Sequence, residues 1–192
     1  MIKAVVFDCF GVLASEGWIP FRDEHLAAEP AKLQQANELM RELATGQITD
    51  DTFLEAISHL ANVTPEAVRE QMNANVPDEE VFECIRTLKP RYKVAMLSNV
   101  GKNRLAEIFT PEQLELIDVF ALSSETGYAK PDREAYQHVA KRLGVEPEEC
   151  VFVDDQPRYL EGAQAAGMQT VLFQTAGLCI RELGTILNQP EA

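Results

Sequence analysis

Residues 150–167 read CVFVDDQPRYLEGAQAAG, and the fold follows from how this stretch is built. Its first part is a short continuous apolar run closed by two aspartates, the pattern of a parallel strand covered on both faces. Its second part is Ala-rich and stops at Gly167, which predicts a helix over 155–167. The same alternation extends in both directions. On the C-terminal side lie the apolar run QTVLF (169–173) and a last helical segment, TAGLCIRELGTILN (175–188). On the N-terminal side PDREAYQHVAKRLG (131–144) opens with Pro131 and ends at Gly144, the usual start and stop signals of a helix. Before it come DVFALSS (118–124), YKVAMLSN (92–99), the helical PDEEVFECIRTLK (77–89) and KAVVFD (3–8). Strands alternating with helices predict an α/β protein with a doubly wound, Rossmann-like, mostly parallel sheet.

Residues 15–76 break this alternation. They hold no good strand and several amphipathic helices. AKLQQANELMRELATG (31–46) places Leu33, Ala36, Met40 and Leu43 on one stripe, and ITDDTFLEAISHLA (48–61) does so with Phe53, Ile57 and Leu60. TPEAVREQMNANV (64–76) begins with Thr64 as N-cap and Pro65 at the first helical position. The expected organisation is a Rossmann-like core of residues 1–14 and 77–192 with a helical cap, residues 15–76, inserted after the first strand.

The 192 residues, 46% of them hydrophobic, suffice for a buried core. No apolar run reaches the roughly 18 residues needed to span a bilayer. The N-terminus flows into a strand-like run without the features of a signal peptide. A cytoplasmic protein with no membrane partner is expected. The formal net charge of −14 argues against nucleic acid as a partner, and no motif bears on oligomeric state. Cys9, Cys84, Cys150 and Cys179 lack metal-type spacing and are read as reduced packing residues.

Ligands of open α/β sheets bind beyond the carboxyl ends of the strands. Those ends collect Asp8, Ser98 and Asn99, Ser123 and Ser124, and Asp154 with Asp155, while Lys130 follows shortly after the third strand. Three carboxylates, a hydroxyl, an amide and an amine on one rim exceed what strand capping requires. Clustered carboxylates repel, and one keeps a proton unless a cation sits among them. Mg²⁺ suits such oxygen ligands and ordinarily also engages a substrate phosphate. Lys130 adds fixed positive charge. The Ser98 hydroxyl and backbone N–H groups near residues 9–12 and 98–100 can donate to phosphoryl oxygens. A central aspartate can attack phosphorus and form an aspartyl-phosphate, which water then hydrolyses.

The motifs VVFDCFGV, MLSN, AKP and VFVDD stand in this order across residues 5–155. In this set the chain resembles the haloacid dehalogenase superfamily over nearly its whole length. Residues 15–76 resemble the family's C1-type cap. GYAKPDREAYQHVAKRLGV and VFVDDQPRYLEGAQAAGM are most similar to its subfamily IA, which contains many small sugar-phosphate phosphatases. The resemblance implies Asp8 as nucleophile, Ser98 and Asn99 as phosphate-binding groups, and Lys130 as the group orienting nucleophile and substrate. It implies Mg²⁺ held by Asp8, the Phe10 carbonyl, Asp154 and Asp155. The implied activity is Mg²⁺-dependent phosphatase action on a small-molecule phosphate ester.

One position departs from that pattern. Phosphatases that this chain resembles carry a second Asp two residues after the nucleophile, as general acid and base; here the position is Phe10. A positioned acid contributes about 10²–10⁴-fold, so three readings stay open. In the first, a phosphatase acts on a substrate with a good leaving group, or the cap donates a proton from His25, Glu24 or His59. Here the entry segment WIPF (18–21) overhangs the site, with Trp18, Phe21 and Arg22 as substrate contacts. The second reading is a 2-haloacid dehalogenase, against which the Asp154–Asp155 pair argues, because it faces a carboxylate substrate and a departing halide. The third is a binding or regulatory protein on a degenerate core, against which the retained Asp8 and Lys130 argue. A phosphoacceptor receiver domain lacks the helical insertion.

Overall fold

The computed structural model describes residues 1–44, 46–99 and 102–187. The chain divides into two compact units, Met1–Ala14 with Pro77–Ala192, and Ser15–Val76.

The first unit is built on strands β1 (Ala4–Phe7), β2 (Lys93–Ser98), β3 (Val119–Leu122), β4 (Cys150–Asp154) and β5 (Gln169–Leu172). They form one sheet in the order β3-β2-β1-β4-β5, every neighbouring pair parallel. The doubly wound α/β expectation holds. β1 and β4 are buried along their whole length. Val5, Phe7, Met96 and Val153 face one core with Phe82 and Ile85. Ala4, Val6, Leu97 and Phe152 face the other with Tyr136 and Leu160. Burial on both faces removes any reason for polar alternation, which is why these strands read as unbroken apolar runs.

The second unit contains α1 (Trp18–His25), α2 (Pro30–Ala44), α3 (Asp50–Ala61) and α4 (Pro65–Asn73) around its own core of Phe21, Leu26, Ala36, Phe53, Ile57 and Val68. Thr49 caps α3 by accepting from the Thr52 N–H, and Thr64 caps α4 by accepting from Ala67. The entry segment WIPF forms the first half of α1. Pro20 is tolerated there because the first N–H groups of a helix have no helical acceptor. α4 stops at Asn73, short of the expected 76.

Back in the first unit, α5 (Glu79–Leu88) starts at Asp78, whose carboxylate accepts from the N–H groups of Glu80 and Val81. The β2–β3 connection holds two short helices that no periodicity announced, α6 (Lys102–Ile108) and α7 (Pro111–Glu115); a capping box of Thr110 and Gln113 opens α7. The remaining helices are α8 (Ser123–Thr126), α9 (Arg133–Leu143), α10 (Pro157–Ala166) and α11 (Ala176–Leu187). Ala14 pairs antiparallel with Pro77, and the Asp78 N–H donates to the Leu13 carbonyl at 2.9 Å. Among the described residues no helix is long and apolar enough to cross a membrane.

Candidate active site

The chain runs outward from β1 to β2 and β3, then returns to the far side of β1 as β4. The crevice at such a reversal is where open α/β sheets place ligands. Phe7 is in register with Val153, so the next residues, Asp8 and Asp154, leave the sheet side by side at this point. Lys130 joins them. Its Nζ lies 2.7 Å from Asp8 Oδ1 and 2.6 Å from Asp154 Oδ2, and its side chain is 1% exposed.

The lysine loop is fixed by Asn99. The Asn99 Nδ2 donates to the Lys130 carbonyl at 3.0 Å, and the Lys130 N–H donates to Asn99 Oδ1 at 2.9 Å. Asn99 was expected at the phosphate. Its side-chain amide makes both of these bonds to the main chain of Lys130. The Gln156 N–H donates to Asp154 Oδ1 at 2.8 Å, and Gln156 Nε2 donates to Asp155 Oδ2 at 3.0 Å.

Carboxylate oxygens of Asp8, Asp154 and Asp155 all lie within 4.8 Å of one another. Three carboxylates against one ammonium leave two negative charges uncompensated in a buried place. Burial pushes the Asp8 carboxyl well above its usual range, the nearby Lys130 charge opposing this and Asp154 reinforcing it. Burial also raises Asp155. For Lys130 burial favours the neutral amine, but Asp154 and Asp8 outweigh it and hold the ammonium above its ordinary value. A hard-oxygen donor set with surplus negative charge fits Mg²⁺.

Phe10 offers no acid. Its ring is partly buried against the core that contains Val5 and Phe7. Gly11 next to it adopts φ +84°, and a Cβ at this position would lie 2.6 Å from Asp155 Oδ2. The Phe10–Gly11 peptide therefore lies alongside the acidic cluster.

Ser98 ends β2 and is 3% exposed. Among the described residues its hydroxyl has no hydrogen-bond partner. Two expected backbone donors are already engaged: the Cys9 N–H donates to Asp8 Oδ1 at 2.6 Å, and the Gly11 N–H donates to the Ala14 carbonyl at 2.7 Å. Val100, expected to add another, lies outside the described residues. Ser123 and Ser124 open α8. The four cysteines are buried and form no disulfide, and burial pushes the thiols of Cys150 and Cys179 up to about 12.

The substrate contacts expected from residues 15–76 fare differently. Phe21 is buried in that unit's own core and stacked with Trp18. Trp18 also packs edge-on to Phe53. Arg22 pairs with Asp23 at 2.7 Å, Glu24 accepts from Gln71 at 3.3 Å, and His25 packs against the Phe21 ring. His59 sits in the last turn of α3.

Sequence reading missed the aromatic surroundings of the ammonium. Lys130 Nζ lies 4.6 Å from the centre of the Tyr159 ring and 5.3 Å from that of Phe152. Phe152 is part of an apolar run, and only its place two residues before Asp154 marks it as a neighbour of the site.

Residues 2–167 match the family described as haloacid dehalogenase-like hydrolase. Phosphatase MT3486 of Mycobacterium tuberculosis is 29% identical over 92% of this chain and 89% of its own length. D-ribitol-5-phosphate phosphatase of Bacteroides thetaiotaomicron is 26% identical over 98% of this chain and 100% of its own. A haloacid dehalogenase family enzyme from the same species, solved with magnesium and inorganic phosphate, covers 91% of this chain and 95% of its own at TM-score 0.69 and 22% identity. A dehalogenase solved as an intermediate complex aligns over 98% of both chains at TM-score 0.72 and 21% identity. The two solved structures share the fold. The family match spans most of the chain and contains Asp8, Lys130, Asp154 and Asp155, so this protein belongs to the haloacid dehalogenase-like hydrolases.

Proposed function

We propose that the chain is a Mg²⁺-dependent phosphatase of a small phosphate ester, working through an aspartyl-phosphate on Asp8. The observation that carries this reading is the buried bridge of Lys130 between Asp8 and Asp154, with Asp155 in the same cluster. The phosphatases among its relatives support the substrate class, a small phosphorylated metabolite. Buried cysteines without a disulfide suit a reducing, cytoplasmic setting. Residues 15–76, inserted after β1, serve in this reading as the substrate-selecting cap.

Asp8 Oδ1 is occupied by the Lys130 ammonium and the Cys9 N–H. Oδ2 has no hydrogen-bond partner among the described residues and is the attacking atom. As the Oδ2–phosphorus bond forms, the bond from phosphorus to the leaving oxygen breaks. Water then attacks phosphorus, the Asp8 oxygen departs, and inorganic phosphate is released with the carboxylate restored. The Lys130 charge opposes the protonation of Asp8 that burial favours and holds the carboxylate in place, and Ser98 donates its hydroxyl to a phosphoryl oxygen. Mg²⁺ held by Asp8, Asp154, Asp155 and the Phe10 carbonyl would supply charge neutralisation at the phosphoryl group. With Phe10 in place of an acid, the leaving oxygen departs unassisted at this position, which favours substrates whose leaving group is stable as an anion.

The test is hydrolysis of p-nitrophenyl phosphate with Mg²⁺ or with EDTA, by the native chain and by Asp8→Asn. Turnover that needs Mg²⁺ and vanishes in the variant is expected. Metal-independent chloride release from a 2-chloro acid would overturn the reading in favour of a dehalogenase. Silence in both assays would leave a non-catalytic core.

A further inference from the structure

An ammonium group has three N–H bonds. Two of those on Lys130 are directed to Asp8 and Asp154. The third cannot reach bulk water, because the side chain is 1% exposed. On its open side lie two aromatic rings, with Tyr159 the nearer at 4.6 Å. The negative face of an aromatic ring attracts a cation at this range. A lysine has none of the fork geometry that fixes an arginine on a carboxylate. Something else must stop its flexible stem from sliding toward one acid or the other.

Tyr159 is itself firmly held. It lies in the first turn of α10, and its carbonyl accepts from the Tyr136 hydroxyl at 2.7 Å. Tyr136 is fully buried and packs edge-on to Phe152, with ring centres 5.5 Å apart. The Tyr159 hydroxyl accepts from Arg158 at 2.8 Å. One turn along, a Cβ on Gly162 would lie 2.6 Å from the Pro131 carbonyl and 2.9 Å from the Tyr136 ring. The bare Gly162 thus lets the helix that carries Tyr159 press directly on the segment that carries Lys130.

We infer that Tyr159 is a positioning residue for Lys130: its ring closes the third side of the ammonium and keeps Nζ bridging Asp8 and Asp154. The inference rests on reading Lys130 as the group that orients the attacking carboxylate. The ring, not the hydroxyl, does the holding. Tyr159→Phe therefore keeps the function, and Tyr159→Leu, of similar apolar bulk, loses it.

Two readouts on the full chain separate this from simple packing. The first needs no activity. In protein carrying ¹³C-lysine, the Lys130 ε-methylene signal, assigned by its loss in Lys130→Arg, is shifted upfield by the ring in native protein and in Tyr159→Phe. It returns toward the ordinary lysine position in Tyr159→Leu. The second is Mg²⁺-supported hydrolysis of p-nitrophenyl phosphate. In Tyr159→Leu kcat falls roughly ten-fold while KM stays within about two-fold, and Tyr159→Phe restores kcat. If Tyr159→Leu does not fold, Tyr159→Met takes its place. An unchanged Lys130 signal in the ringless variant, or equal loss of kcat in Phe and Leu variants, would overturn the inference. A native chain inactive on the aryl phosphate would sink the phosphatase reading alone, and the signal comparison would still test the contact of the Tyr159 ring with Lys130 on which the inference depends.

Discussion

Gly11 packs its bare Cα so tightly against the Asp155 carboxylate that a methyl group there would lie 2.6 Å from Oδ2. Its φ of +84° is also one that side chains rarely adopt. Gly11→Ala should therefore push Asp155 out of the acidic cluster. We expect a loss of about 10–100-fold in Mg²⁺ affinity by isothermal titration calorimetry, the range seen when a ligand's support is removed. The strained backbone should cost a further ~1–3 kcal/mol of stability. Native Mg²⁺ affinity in this variant would show that Asp155 is no ligand.

Metal-free protein should lose stability as pH rises. The Asp8 carboxyl is raised above its ordinary 3.8, mainly by burial, and Asp155 is raised in the same direction. The folded state thus keeps protons that the unfolded chain has released. Stability then falls from the ordinary carboxylate range up through the folded values. In EDTA, Asp8→Asn should flatten this slope and raise Tm at neutral pH by a few degrees, the scale of about 1 kcal/mol for a chain this long. Added Mg²⁺ should narrow the gap. A native chain whose Tm in EDTA does not fall between pH 5 and 8 would contradict the charge surplus.

Asp118 should show the opposite sign. Burial tends to raise its carboxyl, but the Lys89 hydrogen bond and the Val94 N–H, donated at 2.8 Å, lower it overall. Its stabilising contribution is then present above the ordinary 3.8 and disappears as pH falls through the lower folded value. The side chain is 40% exposed, so solvent screening limits the effect to about 1 kcal/mol. Urea unfolding of Asp118→Asn should show that deficit at pH 7 and convergence with the native chain at strongly acidic pH.

Phe10→Asp puts an acid where the structure has a ring packed on the core. Hydrolysis of an alkyl phosphate, whose leaving group needs a proton, should gain about 10²-fold, the lower end of what a positioned acid supplies. Hydrolysis of an aryl phosphate should change little. Equal gains on both substrates would mean that protonation of the leaving group is not what the native site lacks.

The sheet and much of the site were legible because both follow from local rules. Continuous apolar runs mark covered parallel strands, and polar residues at their carboxyl ends converge once the strands align, as Asp8 and Asp154 do through Phe7 and Val153. Other features depend on long-range packing. The contact of Asn99 with the main chain of Lys130 could not be read, since it spans thirty-one residues. Tyr159 carries no sequence mark, because an aromatic in the first turn of a helix is equally at home in any core.

The antiparallel pairing of Ala14 with Pro77 means that the polypeptide departs from the sheet layer and comes home at practically one spot. Loop-closure entropy changes only slowly with the length of the excursion. Whatever is threaded between those two residues can be lengthened, shortened or exchanged while strand registry stays untouched. Such an anchored gateway permits residues 15–76 to diversify independently of the unit that carries the sheet.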